Sequence, residues 1–388
     1  MNRLPEPPAE LAAHSARVSD AITAAARSAG GLLSFGEFMR LALYAPGLGY
    51  YVSGTHKFGP TGDFTTAPET SPLFGQVIAR QFLAVREALG ESAEIVEYGA
   101  GSGALARAIL TYLAEHDALP ARYTIIEVSG ELKMRQHAAV AEVSPAALAC
   151  LQFADGPVAN SVNGLIVANE VLDALPCERF RKTSAGVEQQ DVVLTDDGLA
   201  LRWHPAADEL FAGVEALEAA LGRHLPPGYE GEWVASLPAW LNTVAASLTR
   251  GVLLLSDYGA GREMLYAPER SEGTFLAHYR HHAHADPLVL PGGQDLTAWV
   301  DFSRTMEALD GAGLAYAGFT TQAQFLLAGG LLELLAAAPA EQQLALSAGV
   351  KSLTLPGEMG ERFKFLGAVR DCSIDLPGFS GRDFGHHL

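Results

Sequence analysis

The sequence predicts an α/β fold built on a doubly wound, seven-stranded, Rossmann-like sheet, and three stretches carry that prediction. The first is Ile95-Val-Glu-Tyr-Gly-Ala-Gly-Ser-Gly-Ala-Leu-Ala106. A short apolar run reaches Glu97, and three glycines then alternate at Gly99, Gly101 and Gly103. After them Leu105, Ile109, Leu110 and Leu113 recur at helical spacing. Strand, tight turn and helix in that order form the nucleotide-binding corner of an open sheet. The second stretch is Arg122-Tyr-Thr-Ile-Ile-Glu-Val-Ser129, a β-branched run tipped by an acid, with Glu127 24 residues beyond Gly103. The third is a pair of continuous apolar runs, Gly164-Leu-Ile-Val-Ala168 and Gly251-Val-Leu-Leu-Leu255. Such runs suit strands buried on both faces.

Glycines let the backbone turn sharply and let a ligand lie against the main chain. The helix that follows presents free N–H groups at its first turn. The pattern Gly99-x-Gly101-x-x-Ala104 also fits a relaxed dinucleotide fingerprint, and a turn that binds nothing is the plainer alternative. Two features favour S-adenosyl-L-methionine (SAM). Glu97 precedes the glycines, where its carboxylate can accept hydrogen bonds from a ligand without phosphate. The turn also lies far into the chain, whereas nicotinamide folds often begin with it. SAM carries a cationic sulfonium and ammonium and no pyrophosphate, which carboxylates suit. Glu127, at the tip of the second strand, is placed to accept both ribose hydroxyls; the alternative is an ordinary acid at a strand end. Asp155 closes a third strand expected over Leu148–Ala154 and is assigned to the adenine amino group, with a plain Asp-Gly turn as the alternative.

Composition bounds the rest. The chain has 388 residues, 49% hydrophobic and 18% charged, enough for a substantial core and more than one domain. A formal net charge of −19 repels phosphate backbones and argues against a nucleic-acid substrate. Cys150, Cys177 and Cys372 have neither metal-ligand nor redox spacing, which points to a reducing compartment. No apolar run is long enough for a membrane span. The N-terminal residues lack the pattern of a signal or transit peptide. The expectation is a cytoplasmic protein, as monomer or oligomer.

Four regions are expected along the chain. Residues 1–90 hold N-terminal helices and a binding loop. Residues 91–177 and 251–388 form the core, and residues 178–250 an α+β insertion of β-meander and helices. An alanine-rich helix is expected over 11–29. Ser34 and Glu37 make a capping-box pattern before a second helix near Phe35. Glycine and proline punctuate 47–69 throughout, so this stretch is a loop, and Gly62, Asp63, Phe64 and Thr65 supply its binding groups. Pro72 opens a helix running to about Ala88. Residues 206–222, 237–250 and 331–348 read as further helices, the last a possible dimer face. His278, His281, His282 and His284 lack zinc spacing and any cysteine, so no metal is expected.

The fourth strand runs into Asn169-Glu170-Val-Leu-Asp173-Ala-Leu-Pro176. An amide and two carboxylates thus stand at the carboxyl end of a central strand, where open α/β sheets place their chemistry. Methyl transfer is an in-line displacement that needs a positioned nucleophile and little water. An amine or guanidinium nucleophile must also shed a proton, which a carboxylate can take. Asn169, Glu170 and Asp173 are therefore the catalytic candidates; the alternative is that Glu170 and Asp173 only brace the turn.

Several longer stretches resemble the MidA-type family of class I SAM-dependent methyltransferases. They include Phe38-Met-Arg-Leu-Ala-Leu-Tyr-Ala-Pro-Gly-Leu-Gly-Tyr-Tyr51, Gly62-Asp-Phe-Thr-Thr-Ala-Pro-Glu69 and Glu97-Tyr-Gly-Ala-Gly-Ser-Gly103. Others are Ala168-Asn-Glu-Val-Leu-Asp-Ala-Leu-Pro176, Gly293-Gln-Asp-Leu-Thr-Ala-Trp-Val-Asp-Phe302 and Pro356-Gly-Glu-Met-Gly-Glu-Arg-Phe363. The resemblance implies SAM as cofactor, with Gly62, Asp63, Phe64, Asn169 and Glu170 bordering the site. It also implies a protein arginine methyltransferase resembling assembly factors of respiratory complex I, hence a protein partner such as a respiratory-complex subunit. Without a presequence the chain looks like a bacterial relative. Two other functions stay open: a small-molecule methyltransferase, and an assembly chaperone with a regulatory SAM site. An oxidoreductase is more remote.

Overall fold

The computed structural model describes residues 4–53 and 65–388. Gly62, Asp63 and Phe64 lie outside the described residues. The chain divides into two compact units, one of residues 1–64, 172–237 and 262–299, the other of 65–171, 238–261 and 300–388.

The second unit is an α/β unit with a mixed sheet. Its strands are β1 (Glu94–Tyr98), β2 (Tyr123–Ile126), β3 (Leu151–Ala154), β4 (Val162–Asn169), β5 (Leu248–Ala260), β6 (Ala315–Thr321) and β7 (Phe363–Arg370). They lie in the order β6-β7-β5-β4-β1-β2-β3. From β5 to β3 every pairing is parallel, and β7 runs antiparallel to both β5 and β6. An eighth strand among the described residues is the two-residue Val300–Asp301, which extends the sheet beside the end of β5. The sequence offered no sign of it, because two residues carry no periodicity.

Helix Pro72–Leu89 shows how the unit's core is made. The Ser71 side chain accepts a hydrogen bond from the Leu73 N–H at 3.3 Å, Pro72 fills the first turn, and Gly90 at φ 91° ends the helix. Leu73, Phe74, Val77, Ile78, Phe82 and Val85 recur at helical spacing and are buried with Ile95, Leu165, Leu254 and Phe365. Three boundaries differ from the sequence expectation. Ser144 caps a helix at Pro145–Cys150, so β3 begins only at Leu151. Helix Leu237–Ser247 stops short of Gly251, because β5 already starts at Leu248. The helix expected over 331–348 is two, Leu331–Ala337 and Ala340–Thr354, interrupted at Pro339, which cannot continue a helix.

The other unit is built on an antiparallel sheet. The meander Glu178–Thr183, Gly186–Thr195 and Gly198–Pro205 is joined by Leu32–Ser34 and by Glu230–Trp233. Helices Ala9–Ser28 and Phe35–Tyr44 contribute Val18, Ile22, Phe35, Phe38 and Met39 to its core, with Val192, Phe275 and Leu296. Ser34 does cap the second helix, accepting from the Glu37 N–H at 3.1 Å. Glu37 does not complete the box; its carboxylate pairs with Arg40. A three-stranded sheet of Leu276–Tyr279, His282–His284 and Asp295–Thr297 carries three of the four histidines.

Candidate cofactor site

The site is assembled at the carboxyl ends of β1, β2 and β4. Beyond β1 the chain enters the left-handed region three times, at Gly99 (φ 67°), Gly101 (φ 51°) and Gly103 (φ 83°). A Cβ on Gly99 would lie 2.7 Å from Val171 Cγ2, and one on Gly103 3.0 Å from Gln136 Cα. Glycine is therefore required by both conformation and space. The helix Ala104–Glu115 starts directly after the turn, so its first N–H groups are presented there.

Glu97 is buried, at 1% exposure, and its Oε2 accepts the Tyr123 hydroxyl proton at 2.6 Å. Burial pushes its carboxyl up to about 7, and the bond from Tyr123 opposes that only in part. Glu127 is half-buried at the tip of β2. Its Oε1 accepts the Ser129 N–H at 2.7 Å and its Oε2 the Gln136 side-chain amide at 3.1 Å. The same amide group donates to the Gly101 carbonyl at 3.0 Å. Asp155 stands just past β3, largely exposed, with Lys133 at 2.6 Å.

The end of β4 is unlike the rest of the sheet. Glu170 adopts φ 53°, a region that non-glycine residues seldom occupy. Its Oε1 accepts the Asn169 side-chain amide at 3.1 Å and the Ala67 N–H at 3.3 Å. Thr65 is half-buried just before the short helix Ala67–Thr70 that supplies this N–H. The other face of the Asn169 amide is its carbonyl oxygen, which is buried and has no hydrogen-bond partner among the described residues. On β5, Ser256 is paired in register with Asn169, and its hydroxyl is likewise buried and unpartnered. Next to it, Asp257 accepts the Val171 N–H at 3.2 Å.

Asp173 belongs to the antiparallel unit, whereas Asn169 and Glu170 belong to the α/β unit. It is buried at 5% exposure, and its main-chain carbonyl accepts the Ala298 N–H at 3.0 Å. Tyr44 and Tyr51 belong to the same unit, and Tyr51 donates to Asp295 at 2.8 Å. Burial, then the charges of Asp295 and Asp173, push both phenols up. Among the described residues no three His, Cys, Asp or Glu side chains gather as metal ligands would.

Tyr123, Gln136, Ser256 and the Ala67 N–H were not singled out from the sequence. Asp257 was legible, as an acid ending an apolar strand just as Glu127 does. Gln136 was not: an amide in the middle of a weakly amphipathic helix carries no signal.

A family of S-adenosyl-L-methionine-dependent methyltransferases matches residues 77–320. The chain belongs to this family. A crystal structure of a COG1565 superfamily member from Burkholderia thailandensis, bound to S-adenosyl-homocysteine, is 37% identical and covers 100% of both chains at a TM-score of 0.93. The native crystal structure of a Burkholderia thailandensis protein is similar at a TM-score of 0.89, again with 37% identity over 100% of both chains. Among curated relatives, the mitochondrial protein arginine methyltransferase NDUFAF7 homolog of Drosophila melanogaster is 29% identical over 87% of this chain and 81% of its own. The mouse protein arginine methyltransferase NDUFAF7 is 28% identical over 86% and 80%. The methyltransferase family and the MidA-type resemblance of the motifs thus agree, and SAM is the cofactor. The residues present fit it: a glycine turn that a Cβ would fill, and buried acceptors left open beside it. Among the described residues no helix is long and apolar enough to cross a membrane.

Proposed function

We propose that this methyltransferase transfers the methyl group to arginine side chains of a partner protein. The reading is supported by the activity named for the fly and mouse relatives, whose similarity spans most of both chains. In this reading the sheet acts as a doubly wound nucleotide-binding sheet. The cofactor lies at its switch point, where β1 is flanked by β2 on one side and β4 on the other. SAM supplies a methyl group activated on a cationic sulfonium.

The chain's own residues divide the remaining work. Glu127 holds the ribose hydroxyls, Asp155 meets the adenine edge, and Gly99, Gly101 and Gly103 let the ligand lie against the main chain. Glu97 sets the shape and polarity of the turn from beneath. Gly62, Asp63, Phe64 and Thr65 are assigned to cofactor binding on their sequence alone. Asn169 and Ser256 offer two oxygens to the N–H groups of the incoming guanidinium. Glu170 orients that group and takes the proton its nitrogen loses as the new N–CH3 bond forms. The strained backbone at Glu170 supports this role, because conformations costing about 1–3 kcal/mol tend to persist where function needs them.

The test is methyl transfer from SAM labelled in its methyl group to a panel of proteins and arginine peptides. Respiratory-complex subunits are the first candidates, on the family resemblance. Hydrolysis of the labelled product should yield methylarginine. Label confined to low-molecular-mass products would favour the small-molecule reading instead. Binding of the demethylated cofactor with no transfer to any candidate would favour a chaperone.

A further inference from the structure

Gln136 is fully buried, at 0% exposure, on helix Gly130–Ala141. Its side-chain amide nitrogen uses two contacts at once, the Gly101 carbonyl at 3.0 Å and Glu127 Oε2 at 3.1 Å. One contact lies in the glycine turn after β1 and the other at the acid after β2. A single NH2 group therefore joins the two parts of the cofactor cradle that come from different strands. The main chain of Gln136 also packs directly over Gly103, where a Cβ would approach its Cα to 3.0 Å.

The orientation of this amide is decided by its partners. Turned over, the amide would set its oxygen against a carbonyl and a carboxylate, both of which can only accept. As it stands, Gln136 Oε1 is buried without a hydrogen-bond partner among the described residues. Leaving a buried acceptor open is unfavourable. The side chain bears that penalty while both of its donors stay on the cradle. A glutamine serving only to fill space would be replaced by an apolar residue without loss.

We infer that Gln136 is a positioning residue for the cofactor, which holds the Glu127 carboxylate at the angle needed to receive the ribose diol and locks that carboxylate to the glycine turn. The inference rests on Glu127 as the ribose acid, and the experiment separates the two. S-adenosyl-homocysteine affinity is measured by calorimetry on wild type, Glu127→Gln, Gln136→Leu and the double variant. Each single change should weaken binding on the order of tenfold, and the double should weaken it no further than the worse single, because both act through one carboxylate. Losses that multiply, or an unchanged affinity in Gln136→Leu beside a weakened Glu127→Gln, overturn the positioning role alone. An unchanged Glu127→Gln overturns the ribose reading and the positioning role together.

If Gln136→Leu does not fold, Gln136→Glu gives a readout that packing alone would not move. It sets a second carboxylate against Glu127, so one of the two must take a proton for them to share the site. Its affinity relative to wild type should be poor at pH 8 and recover towards pH 5. A ratio that stays flat across that range overturns the inference.

Discussion

Two buried glutamates of the antiparallel unit and the end of β4 in the α/β unit differ in how their polar groups are satisfied. In the antiparallel unit the buried Glu232 and Glu218 are both saturated. Glu232 accepts from the Thr274 N–H and hydroxyl at 2.9 and 2.8 Å and from the Phe275 N–H at 3.2 Å. Glu218 accepts from Lys182, His224 and the Leu225 N–H. Burial raises its carboxyl, but the bonds from His224 and Lys182 outweigh this and hold it below the usual range. In the α/β unit the end of β4 has a strained Glu170, beside an Asn169 oxygen and a Ser256 hydroxyl that find no partner among the described residues. Saturated acids brace a fold. Unsatisfied acceptors at the carboxyl ends of central strands are held ready for a ligand.

The sharpest way to break this contrast is Glu170→Gln, which keeps the shape and removes the proposed base. Turnover should fall by roughly 10²- to 10⁴-fold, while S-adenosyl-homocysteine affinity measured by calorimetry stays within about threefold of wild type. Unchanged turnover would make Glu170 a brace like the others. Glu232→Ala tests the opposite region. It strands the Thr274 and Phe275 donors and should lower unfolding free energy by about 2–4 kcal/mol in denaturant melts. The folded fraction should keep its turnover. A loss of turnover without a loss of stability would erase the distinction.

Glu97 sharpens the comparison through pH. Burial pushes its carboxyl up to about 7 in the folded chain, from an ordinary value of 4.5. The folded state therefore favours the neutral acid. Its contribution to stability is fully present below about pH 4.5 and is lost as pH rises through about 7. Glu97→Gln should match wild type near pH 4 and gain on it steadily to pH 8, by up to about 3 kcal/mol. Denaturant melts at four pH values read this directly, and a constant difference would contradict it. The smallest effect is expected at the exposed Arg40–Glu37 pair, 2.6 Å apart. Arg40→Ala should change stability by less than about 1 kcal/mol, and a larger shift would show that surface pairs brace this unit as well.

The local features of the α/β unit were legible because they are written in short stretches. Gly99, Gly101 and Gly103 announce a left-handed turn, Ser71-Pro72 announces a helix start, and the apolar runs at 164–168 and 251–255 announce buried strands. The acids Glu97 and Glu127 and the Asn169-Glu170 pair could be named for the same reason: each ends a recognisable strand. What neighbours in sequence cannot encode is the company a side chain keeps. That Tyr123 bonds Glu97, that the amide of Gln136 spans Gly101 and Glu127, and that Ser256 stands in register with Asn169 depend on strand order and helix packing. So does the assembly of residues 1–64, 172–237 and 262–299 into one compact unit. Those pairings join residues 9 to 87 positions apart along the chain, and only the closed fold brings them together.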